Sequence, residues 1–210
     1  MSASPTHSIT LCLETGIAGG SIALVDGERL VAGHIGEGST SRSEDLLPAI
    51  EDLLRESNST PADIGRIAVS LGPGSFTGLR IGIASALGLS KALKCEVVGV
   101  PLLPAMLSLS DKADRAAAVP VGKNDRAYLF EADSEPRIAD AIEIIDIVLP
   151  AVTVIAPVEL MPEVREIGSE VNDTGLNLAV VVGRAANTDL ASTDLSPIYL
   201  QNPARSRGLF

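Results

Sequence analysis

Ile67-Ala68-Val69-Ser70-Leu71-Gly72-Pro73-Gly74-Ser75-Phe76-Thr77-Gly78-Leu79-Arg80 is the stretch on which the fold turns. Its opening run, Ile67 to Leu71, is short, mostly apolar and stopped by Gly and Pro, which predicts a buried strand. Beyond the glycine-rich link the spacing predicts a helix over Thr77 to Lys94, then a strand over Glu96 to Val100. Upstream, Ser43 to Glu56 reads as a helix: Leu46, Leu47, Ile50, Leu53 and Leu54 share one arc, and Ser43 is placed to cap it. The order helix, strand, helix, strand implies right-handed crossovers and parallel pairing. Further upstream, Ile9 to Glu14, Ser21 to Val25 and Arg29 to His34 read as strands punctuated by Gly19-Gly20 and Asp26-Gly27, an antiparallel meander. A meander feeding this alternation gives an α/β fold with a mixed sheet and helices packed on it.

Pro101 and Pro104 bracket a boundary, which divides the chain into an N-terminal lobe, 1–103, carrying the two helices, and a smaller C-terminal lobe, 104–210. In the second lobe Ala117 to Val121, Tyr128 to Ala132, Ile142 to Val148 and Val152 to Ile155 read as strands, and Thr174 to Ala186 as a helix able to pack back on the first lobe.

A chain of 210 residues buries about 70% of its unfolded surface. With 46% hydrophobic residues, 20% charged and a mean hydropathy of +0.30, a disordered chain is excluded. Three Phe, two Tyr and no Trp leave the core to Val, Ile, Leu and Ala and supply too few rings for base-stacking platforms. The net charge of −11 repels polyanions, so direct binding of nucleic acid is not expected. Eleven of the acids fall in residues 131–173 against only Arg137 and Arg165, which reads as a solvated face.

Cys12 and Cys95 are too few and too far apart for a disulfide framework or a paired-cysteine zinc site, and both are expected to be buried, reduced thiols. The longest apolar run, Ile147 to Leu160, is broken by Pro150, Thr153 and Pro157 and falls short of the roughly 18 residues of a membrane span. Met1 to Ser8 carries no Lys or Arg, unlike an export signal, so a cytoplasmic location without a membrane partner is expected.

The glycine-rich link admits two readings. As an anion loop, its backbone N–H groups at a helix start, with the Ser75 and Thr77 hydroxyls, would hold a phosphate or carboxylate. Its glycines, Gly72, Gly74 and Gly78, miss the dinucleotide spacing by one residue, Gly78-Leu79-Arg80 replaces the Gly-Lys-Ser/Thr of a P-loop, and Pro73 removes a donor. The other reading is a tight structural turn. Glu14 and Thr15, at the end of the first strand, divide the same way: a Mg²⁺- and phosphate-binding pair, or a solvent-facing or capping carboxylate beside Gly16.

No catalytic set is evident. The two histidines, His7 and His34, form no His-x-x-x-His pair, no metal site is expected, and Gly74-Ser75-Phe76 does not continue as a nucleophile elbow.

The helix Thr77 to Lys94 is apolar nearly all round. At about 100° per residue, Leu79, Ile83, Ala86, Leu87 and Leu93 form one face of roughly 120°, and Gly78, Ile81, Gly82, Ser85, Gly88, Leu89 and Ala92 form a second of small residues. Two apolar faces call for two covers. The sheet is one; the other is either the Ser43 to Glu56 helix or a partner chain, and the second possibility implies a homodimer when the chain is isolated. On that reading Gly82→Leu blocks the partner with the fold kept.

Leu13-Glu14-Thr15 followed by Gly20-Ser21-Ile22-Ala23-Leu24, then Ser43-Glu44-Asp45-Leu46-Leu47-Pro48, Gly72-Pro73-Gly74-Ser75-Phe76-Thr77-Gly78-Leu79-Arg80-Ile81-Gly82 and Pro197-Ile198-Tyr199-Leu200 resemble, in order, the TsaB (YeaZ) family. The resemblance is dense over residues 9–101, sparse over 102–190 and returns at the C-terminal motif. Glu14 stands where the family commonly has Asp, Arg42 where His is frequent, and Gly122 to Arg126 is an imperfect Asp-Ala-Arg segment.

The resemblance implies the actin-like ATPase and sugar kinase superfamily fold, two lobes each on a ribonuclease-H-like sheet. It implies a non-catalytic scaffold that pairs with TsaD and TsaE to form N6-threonylcarbamoyladenosine at position 37 of tRNAs reading ANN codons, from an intermediate made by TsaC. ATP or ADP would then belong to the complex, with no cofactor of the chain's own, and tRNA would be met only through the complex. The family's interface helices map here onto Leu46, Leu47, Ile50 and Leu53, and onto Gly78, Ile81, Gly82, Ser85 and Leu89. The competing expectation is an actin-like ATPase or phosphotransferase using Glu14 and the Gly72–Gly78 loop; a peptidase lacks a nucleophile-base pair.

Overall fold

A computed structural model of the chain describes residues 9–36, 43–122, 126–140, 142–144, 152–157, 159–161, 170–175 and 177–200. The first sheet is built from β1 (Ile9–Glu14), β2 (Ser21–Asp26), β3 (Arg29–Ile35), β4 (Ile64–Gly72) and β5 (Glu96–Pro101), in the order β3-β2-β1-β4-β5. β1, β2 and β3 pair antiparallel, with Leu11 opposite Leu24. β4 lies parallel to β1, with Cys12 beside Ala68, and β5 parallel to β4, so the mixed sheet follows the expected meander and crossovers.

The period of two sorts this sheet cleanly. Leu11, Leu13, Ile22, Leu24, Ile67 and Val69 face α1 (Ser43–Glu56) and α2 (Phe76–Leu93). Leu46, Ile50, Leu53 and Leu54 of α1 close that core, each buried Leu worth roughly 1.5–3 kcal/mol. Cys12, Ala23, Val25, Ala68, Val98 and Val100 line the other face, against α3 (Leu102–Leu107) and α4 (Leu178–Ala185). Small residues are needed there because α4 comes close: a Cβ on Gly183 would stand 2.5 Å from Cys12 Sγ. Burial pushes the Cys12 thiol well above its ordinary pKa. Cys95 is half-buried rather than buried, and both thiols are free.

The second sheet contains β6 (Arg115–Pro120), β7 (Arg126–Glu131), β8 (Arg137–Asp140), β9 (Thr153–Ala156) and β10 (Glu170–Asp173), in the order β10-β9-β6-β7-β8. Ala117, Val119 and Ile155 share the core between the sheets, while Ala116, Ala118, Leu129 and Val154 face the other side with Ile144 and Met161.

Four departures have local causes. Pro101 and Pro104 start the helix α3 instead of marking a bare boundary: Pro101 is its N-cap, and Pro104 stands where the N–H has no intrahelical partner. α4 begins at Leu178, not Thr174, because Gly175 has φ +67° and its N–H donates to Asp173 Oδ1 at 2.9 Å, forming a turn. Residues 142–144 are helical rather than the start of a strand, with Glu143 N–H donating to Asp140 Oδ1 at 2.9 Å; 145–148 lie outside the described residues. β8 and β10, short and half-exposed, were not anticipated.

Candidate functional site

β1 and β4 are parallel neighbours, Leu13 beside Val69, so their carboxyl ends bring Glu14 to Gly16 against Gly72 to Gly74. In an open α/β sheet this is where a ligand crevice forms. Here it is filled by the chain's own atoms. Glu14 is 1% exposed and accepts from Gly16 N–H at 2.7 Å and Ile17 N–H at 3.3 Å. Burial pushes its carboxyl up to about 7 although those two N–H groups pull the other way. Glu14 is therefore a buried cap on its own loop rather than a solvent-facing group.

The glycine-rich loop is consumed in the same way. Ser75 N–H donates to Gly16 O at 2.8 Å, Ser75 Oγ accepts from Gly78 N–H at 3.3 Å as the N-cap of α2, and Leu79 N–H donates to Ser75 O at 2.9 Å. The Thr15 hydroxyl donates to Gly78 O at 2.7 Å. A Cβ on Gly74 would meet Gly16 Cα at 2.8 Å, and Cβ atoms on Gly78 and Gly82 would fall far inside contact with Thr15. Gly72 has φ +99°, a conformation that glycine adopts without strain. Of the expected anion set, Glu14, Thr15, Gly72, Gly74 and Ser75 come together, yet their hydrogen bonds go to Gly16, Ile17, Ser70, Gly78 and Tyr128 of the same chain; Thr77 is exposed. Among the described residues no three His, Cys, Asp or Glu side chains stand close enough to share a metal.

The interface expectation divides. Leu46, Ile50 and Leu53 are 9%, 4% and 1% exposed, held in the core over the first sheet, so these three offer nothing to a partner. Gly78 and Gly82 are also turned inward, because only glycine lets α2 lie directly on Thr15. The side of the small-residue face that carries Gly78 and Gly82 is thus covered by the chain itself. Leu47 is 51% exposed; Ile81, Ser85 and Leu89 sit half-buried at the edges of the contact. The arc left open on α2 carries Arg80, Ala84, Leu87, Gly88 and Lys91.

One corner escapes the pattern reading. Phe76, 53% exposed, lies with its ring centroid 5.1 Å from that of Tyr199, and the Arg80 guanidinium sits 3.7 Å over the Phe76 ring while its Nε–H donates to Tyr199 Oη at 3.2 Å. Tyr199 is brought there by its neighbour, Ile198, whose N–H donates to Leu71 O at 2.7 Å. The signal was present in Pro197-Ile198-Tyr199-Leu200, but nothing in its spacing places it beside residue 76. A groove of about 470 Å³ opens beside this corner, floored by Ile81 and Ala84.

The model of the family described as TsaD, tRNA N6-adenosine threonylcarbamoyltransferase, matches residues 37–169. This chain belongs to that family. It is 34% identical over 96 residues to the "tRNA threonylcarbamoyladenosine biosynthesis protein TsaB" of Escherichia coli, covering 46% of this chain and 41% of that one. It is 34% identical over 82 residues to the protein of the same name from Bacillus subtilis, covering 39% and 36%. The match thus spans less than half the length of these curated relatives. Among solved structures, YeaZ from Pseudomonas aeruginosa superposes with a TM-score of 0.59 at 23% identity over 92% of this chain and all of that one, which shows the shared fold. Two five-stranded mixed sheets with packed helices agree with the α/β mixed-sheet expectation and with the two sheets that the resemblance implies. No helix among the described residues is long and apolar enough to cross a membrane.

Proposed function

We propose that this chain is a non-catalytic pairing subunit in the formation of N6-threonylcarbamoyladenosine on tRNA, acting by docking to TsaD, with TsaE joining the assembly and TsaC supplying the intermediate. The observation that carries this reading is the closure of Glu14 to Gly16 onto Gly72 to Gly78. The N–H groups of Gly16, Ile17, Ser75 and Gly78 are engaged within the chain, while α2, springing from the same loop, leaves Leu87 40% exposed on an arc it shares with Arg80, Ala84, Gly88 and Lys91. A closed crevice beside an open apolar helix supports association over chemistry. The names of the E. coli and B. subtilis relatives place those proteins in the same modification.

The test is co-expression with TsaD of the same organism. A complex of one copy of each chain on size exclusion with light scattering is expected, with modified adenosine produced only when TsaD is added; no co-purification would defeat the reading. Alone, the chain is expected to self-associate at high concentration. Calorimetry with ATP and Mg²⁺ distinguishes the phosphotransferase alternative, which requires useful affinity in the isolated chain.

A further inference from the structure

Resting on the pairing just proposed, we infer that Arg80 is a pre-organised anchor for a carboxylate on the docking partner, and that the partner's surface is acidic around an apolar centre. The chain carries a net charge of −11, yet α2 contains no Asp or Glu, and Arg80, Lys91 and the cap residue Lys94 are all exposed. At about 100° per residue these cations fall within roughly 60° of one another, on the arc centred on exposed Leu87. A basic ridge with an apolar middle therefore stands on an acidic molecule.

Arg80 is held before any partner arrives. Its guanidinium stacks on Phe76, and its Nε–H is committed to Tyr199 Oη. Of the five N–H donors of the side chain, the other four have no acceptor among the described residues, so the terminal fork is free to take both oxygens of a carboxylate. Immobilising the side chain in advance removes entropy that a free arginine would lose on binding. The groove beside it, lined by Phe76, Thr77, Ile81, Ala84 and Ser85, receives an apolar side chain next to that carboxylate.

Charge separates this occupant from the others. A second copy presents the same cations on its own α2, so ridge against ridge brings like charges together. RNA would satisfy the cations but must approach a chain of net charge −11 and leaves the apolar floor unfilled. An acidic protein surface satisfies both.

The test is the dissociation constant between the full-length chain and TsaD at low and at moderate salt. Arg80→Glu and Arg80→Gln are expected to weaken pairing by more than about tenfold, Arg80→Lys by less, and wild-type pairing to weaken as salt rises. Lys112→Gln, on an exposed ion pair with Glu170 away from α2, is expected to change nothing. Arg80 is exposed, so unchanged circular dichroism and at most a small drop in melting temperature, from the lost Phe76 and Tyr199 contacts, should accompany each variant. If wild type fails to bind TsaD, the pairing itself falls and this inference with it. If wild type binds and Arg80→Glu binds equally well, pairing stands and the anchor is overturned. Arg80-dependent binding of tRNA by the isolated chain, with pairing unaffected, also overturns it.

Discussion

The Thr15 hydroxyl donates to the Gly78 carbonyl at 2.7 Å, tying the residue that follows β1 to the first turn of α2. This buried bond sets how closely the helix lies on the carboxyl ends of β1 and β4. Thr15→Val keeps the shape and removes the donor, leaving Gly78 O only its intrahelical bond from Gly82 N–H, and is expected to lower stability by about 0.5–1.5 kcal/mol in urea denaturation. Thr15→Ser restores the donor and most of that loss. Equal stability of Val and wild type would mean that the bond contributes nothing to closure.

Gly82 tests the same contact from the helix side. A Cβ there would fall far inside contact with the Thr15 hydroxyl. Gly82→Ala is expected to destabilise by about 1–3 kcal/mol despite alanine's better helix propensity, because the overpacking outweighs it. The pattern alone makes Gly82→Leu an interface probe that spares the fold; the geometry makes it a folding lesion, so loss of pairing in that variant would say nothing about a partner surface.

Gly88 is the counter-case. It is exposed, and a Cβ on it meets nothing within 4 Å. Gly88→Ala is expected to stabilise the isolated chain by about 0.5–1 kcal/mol through helix propensity and the unfolded state. Gly88→Arg should fold normally and impair pairing with TsaD, since its side chain would project from the exposed edge of the open arc. Undiminished pairing would move the docking surface off this arc.

Why one glycine of the helix faces inward and another outward was not legible in the sequence. The wheel of α2 shows that the helix is apolar on two sides, but Gly78, Gly82 and Gly88 fall on one predicted face, and only Thr15, more than sixty positions away from Gly78, decides which of them it touches. The first sheet was legible because each of its strands is a short apolar run stopped by Gly or by a charged turn, and its alternation survives burial on both faces. The second lobe was less so: β8 and β10 are four residues each and half-exposed, leaving little period to read. Glu14 illustrates the limit at the site itself. A carboxylate at a strand end reads equally as ligand or cap, and only its two bonds to Gly16 and Ile17 decide.

Those bonds also carry a pH signature. Glu14 titrates near 4.5 when the chain is unfolded and is pushed up to about 7 by burial when folded. Between those values the folded state holds a proton that the unfolded state has lost. The contribution is therefore fully present below about 4.5 and is lost as pH rises through about 7, an effect of up to roughly 3 kcal/mol. Glu14→Gln keeps an acceptor for Gly16 N–H, gives up the longer bond from Ile17, and cannot ionise. Its stability is expected to exceed that of wild type at pH 8 and to fall to equal or below it at pH 5. Urea denaturation of both chains across that range is the measurement; parallel stability curves would mean that Glu14 is not the titrating group.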